Sequence, residues 1–418
     1  MYKKTIFDNG LCVVTESIPH VKSVSLGIWV NIGSRDEKDS EAGLSHFLEH
    51  MLFKGTSTRS ALDIAKEFDQ VGGMANAFTS KENTCFHARV MSGHLARLTD
   101  LLADIFLNST LASEDIDRER QVILQEISMV EDTPDENVHV LFNQNFWSGD
   151  PLGRSVLGMV ETVGGFERED LTQYLKRFYL PSKIVIAAAG DLEHDSFLDL
   201  IRPFFEALPS TEDGLVRIPP EVREATCITH KNLEQVHLCL GTPFTTTVDE
   251  KRYAGAVLNT LLGGNMSSRL FQEVRENRGL AYSIYSFISN YADAGLLGIY
   301  AGVSPEQATE AIELIVAELK KIKRGEVSES EIRSAQEYLK GGIVLSLDNI
   351  DNLMIHLAKN EITFGERITY ESILTAIDKV TLEQIVELVN IYFGEDSLSL
   401  TALGPWRGEE VPEGLLKL

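Results

Sequence analysis

Between positions 44 and 52 the apolar residues Leu44, Phe47, Leu48, Met51 and Leu52 recur at helical spacing. This predicts an amphipathic helix with one face on a core. Gly55 stands where a left-handed cap would close it. Upstream, positions 5–14 read as a hairpin turning at Asp8-Asn9-Gly10, and 24–32 as a buried strand. Downstream, 60–71 reads as a short helix stopped by Gly72-Gly73. Positions 74–90 alternate as strands, and 95–107 and 113–130 are helical. Ser113 is a candidate N-cap, with Glu114 and Asp115 in the first turn. The apolar run 184–189 is a strand closed by Gly190-Asp191.

The pattern breaks between about 208 and 220, where Pro209, Gly214 and Pro219-Pro220 mark a linker. Beyond it the order of elements returns. Val24-Ser25-Leu26 recurs as Val236-His237-Leu238, Asp36-Glu37 as Asp249-Glu250, and the strand ending at Gly190 as one ending at Gly404, at offsets of 212, 213 and 214. Near-equal offsets predict two copies of one α/β domain. The expected division is 1–212, a linker at 213–225, and 226–418. A chain of 418 residues also exceeds one ordinary core.

Charge narrows the partners. Lys and Arg number 38 against 63 Asp and Glu, a net −25. Nucleic acid and anionic membranes are therefore not expected, whereas basic peptides would be attracted. Cys12, Cys85, Cys227 and Cys239 are scattered without a Cys-x-x-Cys pair, which suits buried thiols in a reducing compartment. No apolar signal core and no membrane span are visible in the pattern, so a cytoplasmic chain is expected, or a mitochondrial matrix chain already stripped of a presequence.

The candidate chemistry lies on the first helix described. His46 and His50 are one turn apart on one side, where two imidazoles can grip one metal ion. Glu49 falls between them and can hold a metal-bound water without being a ligand. The spacing His-x-x-Glu-His reverses the commoner zinc signature. A third ligand is sought on a facing helix. Glu119 and Glu126 share a face of the helix over 113–130, so Glu126 is a candidate ligand with Glu119 supporting it from behind. A solvated acidic face is the rival reading. At an offset of 214 the three motif positions fall on Thr260, Gly263 and Gly264, so the second copy offers no ligands and one metal per chain is expected. The stretch 261–268 reads as a flexible loop, since it lacks the lysine and glycine spacing of a phosphate loop.

Several stretches together resemble the pitrilysin/insulinase family of zinc peptidases, in its small two-domain branch. They are His46 to Thr56, Gly72-Gly73-Met-Ala-Asn76-Ala77-Phe78-Thr79, Glu119 to Glu126, Pro151-Leu-Gly-Arg154, and Arg275-Glu-Asn-Arg-Gly-Leu-Ala-Tyr282. The resemblance implies an α+β fold of two homologous sandwich domains, each with a mostly antiparallel sheet packed against helices. It implies zinc on His46, His50 and Glu126, with Glu49 as general base in peptide hydrolysis. It implies that the strand carrying Asn76, Ala77, Phe78 and Thr79 is an edge onto which an extended substrate adds. It also implies that Arg275 and Tyr282, in the second domain, hold substrate carbonyls and the developing oxyanion. Without it they read as a surface arginine and a half-buried strand tyrosine.

Family members enclose unfolded peptides in a chamber of two halves, and two copies of the repeat make one half. A homodimer is expected, with Arg275 and Tyr282 of one subunit completing the site of the other. Two alternatives belong to other classes. A non-catalytic subunit of a processing-peptidase-like complex usually loses the metal motif, which is present here. An iron enzyme using two histidines and a carboxylate has no use for Glu49.

Overall fold

The computed structural model describes residues 1–210, 214–222, 224–406, 411–412 and 414–418. It divides into two units. The first comprises Met1–Met129, Arg154–Arg217 and Ser346–Arg367, and the second Val130–Gly153, Ile218–Leu345 and Ile368–Leu418. The division expected at 1–212 and 226–418 therefore misses two excursions. The stretch Val130–Gly153 goes with the second unit, and Ser346–Arg367 with the first. Of the expected linker, Asp213 and Arg223 lie outside the described residues. Its Arg217 is no free spacer, since its guanidinium meets Asp36 Oδ2 at 2.8 Å and donates to Glu82 O at 3.0 Å.

Among the described residues the first unit holds six strands: β1 (Tyr2–Ile6), β2 (Cys12–Ser17), β3 (Ser23–Val30), β4 (Met74–Thr79), β5 (Thr84–Met91) and β6 (Ile184–Gly190). Their order across the sheet is β1-β2-β6-β3-β5-β4. All neighbours run antiparallel except β2 and β6. β3 and β6 are central and buried over nearly their whole length, so helices cover both faces. One face carries the helices Leu44–Leu52, Leu95–Asn108 and His194–Phe205, whose Phe47, Leu98, Leu102 and Phe205 are buried. The other face is closed by the helix Ile350–Phe364. Its Met354, Leu357 and Ala358 lie against Val14, Trp29 and Ala187, and Trp29 Nε1 donates to Met354 Sδ at 3.3 Å.

The second unit repeats this plan. Its strands are β7 (Thr226–His230), β8 (Val236–Pro243), β9 (Ala281–Asn290), β10 (Gly295–Val303) and β11 (Ser399–Gly404), in the order β7-β11-β8-β10-β9. Only β7 and β11 are parallel. Among the described residues, this is strand for strand the first sheet without a counterpart of β1. One face packs on the helix Ala308–Lys323, and the other on Pro134–Phe146 through Val138, Phe142 and Phe146. The repeat extends to single residues. Gly190 has φ +133° and Gly404 has φ +152°. A Cβ on the first would lie 2.2 Å from Ser23 O, and on the second 2.6 Å from Gln235 O. Only glycine fits either strand end, and both sit beside the start of the corresponding strand.

Three local expectations change. The first helix ends at Leu52, not Gly55, whose φ of +132° serves an isolated bridge to Ser60. Ser113 is already inside its helix, which runs Ser113–Asp132. The stretch expected as a loop at 261–268 begins inside the helix Arg252–Gly263. Gly263 packs there on β9, where a Cβ would lie 2.4 Å from Ser286 N.

Candidate metal centre

The helix Leu44–Leu52 buries Leu44, Phe47, Leu48, Met51 and Leu52 in the core of the first unit. That face fixes the opposite one. His46 and His50 stand one turn apart there with ring centroids 4.7 Å apart. The helix Ser113–Asp132 buries Ile116, Ile123 and Ile127 and turns Glu119 and Glu126 toward the histidines.

Glu126 Oε2 lies 3.7 Å from His46 Nε2 and 3.7 Å from His50 Nε2. Ligand atoms of the three residues all lie within 4.8 Å of one another. Tetrahedral coordination with bonds of roughly 2.1 Å would put ligand atoms about 3.4 Å apart, so the three fit a zinc-sized ion and leave a fourth position open. The chemistry of the donors agrees. His50 Nδ1 is 3.0 Å from buried Glu119 Oε2, which fixes the tautomer and leaves the Nε2 lone pair facing Glu126. Glu119 Oε1 in turn meets Lys54 Nζ at 2.7 Å. Burial, and next His50, push the His46 imidazole down to about 4, so it is neutral at ordinary pH as a ligand must be. Its Nδ1 is buried without a hydrogen-bond partner.

Glu49 points beside this group. Its Oε2 accepts the Thr79 hydroxyl at 2.6 Å. Burial raises its carboxyl above the ordinary value, opposed first by the Thr79 bond. A cleft of about 410 Å³ opens next to it, lined by Glu49, His50, Phe53, Ile64, Phe68 and Ala77. One wall is β4, an outermost strand paired only with β5. Of the four β4 residues expected to meet substrate, Asn76 is exposed and Ala77 lines the cleft. Thr79 goes to Glu49. Phe78 turns to the far face of the sheet, its ring edge-on to Trp29 at 5.3 Å.

Arg275 and Tyr282 belong to the second unit and lie together there. The guanidinium sits 5.0 Å from the Tyr282 ring centroid and 4.6 Å from that of Phe271. Tyr282 is 80% exposed, so it is not the half-buried strand tyrosine of the bland reading. At the positions matching the histidine motif the second unit has buried Thr260 and Gly263, neither of which can ligate. Lys54, the partner of Glu119, falls within the His46 to Thr56 stretch but has no assigned role in the sequence pattern, and neither have the apolar residues Ile64 and Phe68 of the cleft. Ile64 and Phe68 are one helical turn apart, a signal indistinguishable from ordinary core packing.

Two family models match, "Insulinase (Peptidase family M16)" over residues 12–159 and "Peptidase M16 inactive domain" over 165–339. The chain is 40% identical over 396 residues to an uncharacterized zinc protease, YmxG, of Bacillus subtilis, covering 95% of this chain and 97% of the relative. It is 39% identical over 416 residues to an uncharacterized zinc protease of Streptomyces coelicolor, covering 98% and 90%. Among solved structures, a protease from Helicobacter pylori superposes with a TM-score of 0.89 at 22% identity, covering 96% of this chain and 99% of that one. A Pseudomonas fluorescens structure described as a peptidase M16 inactive domain gives 0.89 at 20% identity.

Proposed function

The chain belongs to the insulinase family of peptidases, family M16, and on that footing we propose that it is a zinc-dependent endopeptidase acting on unfolded peptides inside a closed chamber. One observation carries the reading. His46, His50 and Glu126 converge at ligand separations while Glu49, beside them, keeps one carboxylate oxygen clear of the Thr79 bond.

Zinc on these three residues would supply a water of lowered pKa and a Lewis acid for the scissile carbonyl. Glu49 Oε1, the oxygen not used by Thr79, takes the proton and later delivers it to the leaving amine. Strand β4 accepts an extended peptide as an added strand, which reads backbone rather than sequence. The cleft between Phe53, Ile64 and Phe68 takes an apolar side chain next to the bond being cut. Net charge of −25 favours basic peptides. Arg275 and Tyr282 hold the substrate carbonyl and oxyanion, supplied across a homodimer to the partner's site. Free thiols at all four cysteines suit a cytoplasmic location.

The test is a peptide mixture incubated with the zinc-loaded protein, with products identified by mass spectrometry. Internal cleavage that stops with a chelator and with Glu49→Gln is expected. A zinc-loaded protein that cuts no peptide would overturn the proposal in favour of a non-catalytic subunit.

A further inference from the structure

The helix that carries both histidines begins at a residue without a side chain. Gly43, at φ +100°, is its N-cap and offers no capping oxygen. The first-turn N–H groups of a helix have no partner within it. Here a residue six positions upstream takes two of them. The Glu37 carboxylate accepts Gly43 N–H on Oε2 at 2.8 Å and Ser45 N–H on Oε1 at 2.7 Å. Glu37 is only 4% exposed, so little water competes. A carboxylate is also the group that the positive end of a helix favours.

The surroundings leave this end of the helix no slack. A Cβ on Gly158 would lie 2.4 Å from Ala42 O and 2.8 Å from Gly43 Cα. The Thr162 hydroxyl donates to Ala42 O at 2.7 Å, and Ser45 Oγ and Tyr174 OH are 2.8 Å apart. Glu37 is itself held from behind. Arg154 donates to its carbonyl oxygen at 2.5 Å and to Asp39 at 2.7 Å. The half-buried Lys81 ammonium donates to Arg154 O. This gives a use to Arg154, the last residue of the Pro151-Leu-Gly-Arg154 stretch.

The two histidines are oriented by different means. His50 has Glu119 on its outer nitrogen. His46 has no partner on Nδ1, so only packing and the position of its backbone aim its ring. His46 directly follows Ser45, whose N–H the Glu37 carboxylate holds. We infer that Glu37 is a positioning residue for the metal centre: by gripping Gly43 and Ser45 it sets where His46 Nε2 stands relative to Glu126. The inference rests on the zinc peptidase reading.

The test compares wild type, Glu37→Gln and Glu37→Asp in the full chain. The amide would turn a donor toward one of the two N–H groups and lose that bond. Zinc affinity, measured by chelator competition and so independent of turnover, should fall at least about tenfold in Glu37→Gln. The zinc-saturated variant should lose at least about tenfold in kcat with KM within about twofold, because β4 and the cleft are untouched. Glu37→Asp, which keeps both acceptors on a shorter stem, should fall between the two. A merely structural role would lower the melting temperature and leave zinc affinity of the folded protein unchanged. Zinc affinity and kcat within twofold of wild type in folded Glu37→Gln would overturn the inference. If that variant does not fold, an unchanged zinc affinity in Glu37→Asp does so. A wild type that binds no zinc or cuts no peptide would instead refute the reading beneath it.

Discussion

The Thr79 hydroxyl donates to Glu49 Oε2 across 2.6 Å, joining the edge strand to the residue proposed to move the proton. Thr79 also reaches Ser45 O at 3.5 Å, a weaker contact with the same helix. Replacing Thr79 by valine keeps the shape and removes the donor. Loss of this bond should cost about tenfold in kcat, equivalent to about 1.4 kcal/mol, with little change in KM. Steady-state cleavage of one peptide measures both, and an unaltered kcat would count against Glu49 as the base.

The motif residues should separate by role. Glu49→Gln is expected to retain zinc and lose at least about 100-fold in turnover. His46→Ala and His50→Ala should lose metal and turnover together. Metal content by atomic spectroscopy beside peptide cleavage decides it. A Glu49→Gln variant of near-normal turnover would show the mechanism to be wrong.

Glu119 lies between His50 and Lys54, at 3.0 and 2.7 Å. Glu119→Gln can still accept one bond but no longer balances the Lys54 charge. Zinc affinity should drop roughly 10- to 100-fold with the fold intact. Chelator titration followed by metal content is the measurement, and wild-type affinity would remove Glu119 from the support of His50.

Glu37 predicts a pH dependence in the metal-free protein. Burial, against the Ser45 and Gly43 N–H groups and Arg154, raises its carboxyl from 4.5 to about 7. Between those values the folded state keeps a proton that the unfolded chain has lost. Its contribution therefore destabilises the fold as pH rises through that window, and the loss is complete above it. Relative to Glu37→Gln, wild type should lose about 2 kcal/mol between pH 5 and pH 8. Urea denaturation of both proteins at the two pH values cancels the other titrating groups. A constant difference would place the Glu37 pKa near its ordinary value.

Assembly is tested by complementation. Glu49→Gln and Tyr282→Phe are each expected to be inactive as pure dimers. Mixed under subunit exchange, each heterodimer would contain one intact composite site, and about half of the dimers form it if exchange is random. Recovered cleavage supports the shared site. A mixture that stays inactive while exchange is demonstrated places Tyr282 in the service of its own chain, or makes the dimer irrelevant.

The candidate metal centre is legible in part, because helical geometry puts His46 and His50 on one side and Glu119 and Glu126 on one face, while the choice of Glu126 as a ligand over a solvated acidic face comes from the family resemblance. The duplication was legible in the Gly190 and Gly404 strand ends. Other features depend on contacts far along the chain. The apolar face of Ile350–Phe364 does not name its sheet in sequence, and the packing of Met354, Leu357 and Ala358 on Val14, Trp29 and Ala187 assigns it to the first. Gly55 reads as a cap by position, yet its backbone is drawn into a bridge with Ser60. Glu37 sits in a polar run that gives no hint of burial, because the cap it makes spans six residues of irregular chain. Phe78 shares β4 with Ala77 and Thr79, but the alternation of a strand turns it to the other face, against Trp29.

Gly263 in the second unit limits the chemistry open to that unit. At the position matching Glu49, the backbone of β9 has closed in until a Cβ would lie 2.4 Å from Ser286 N. Placing His, Glu and His at Thr260, Gly263 and Gly264 would therefore not by itself build a metal site there, since any side chain at 263 would first have to push the strand away. The helix Arg252–Gly263 and strand β9 would have to part before position 263 could carry a side chain, so the second unit is closed to this chemistry by its backbone and not only by its residue types.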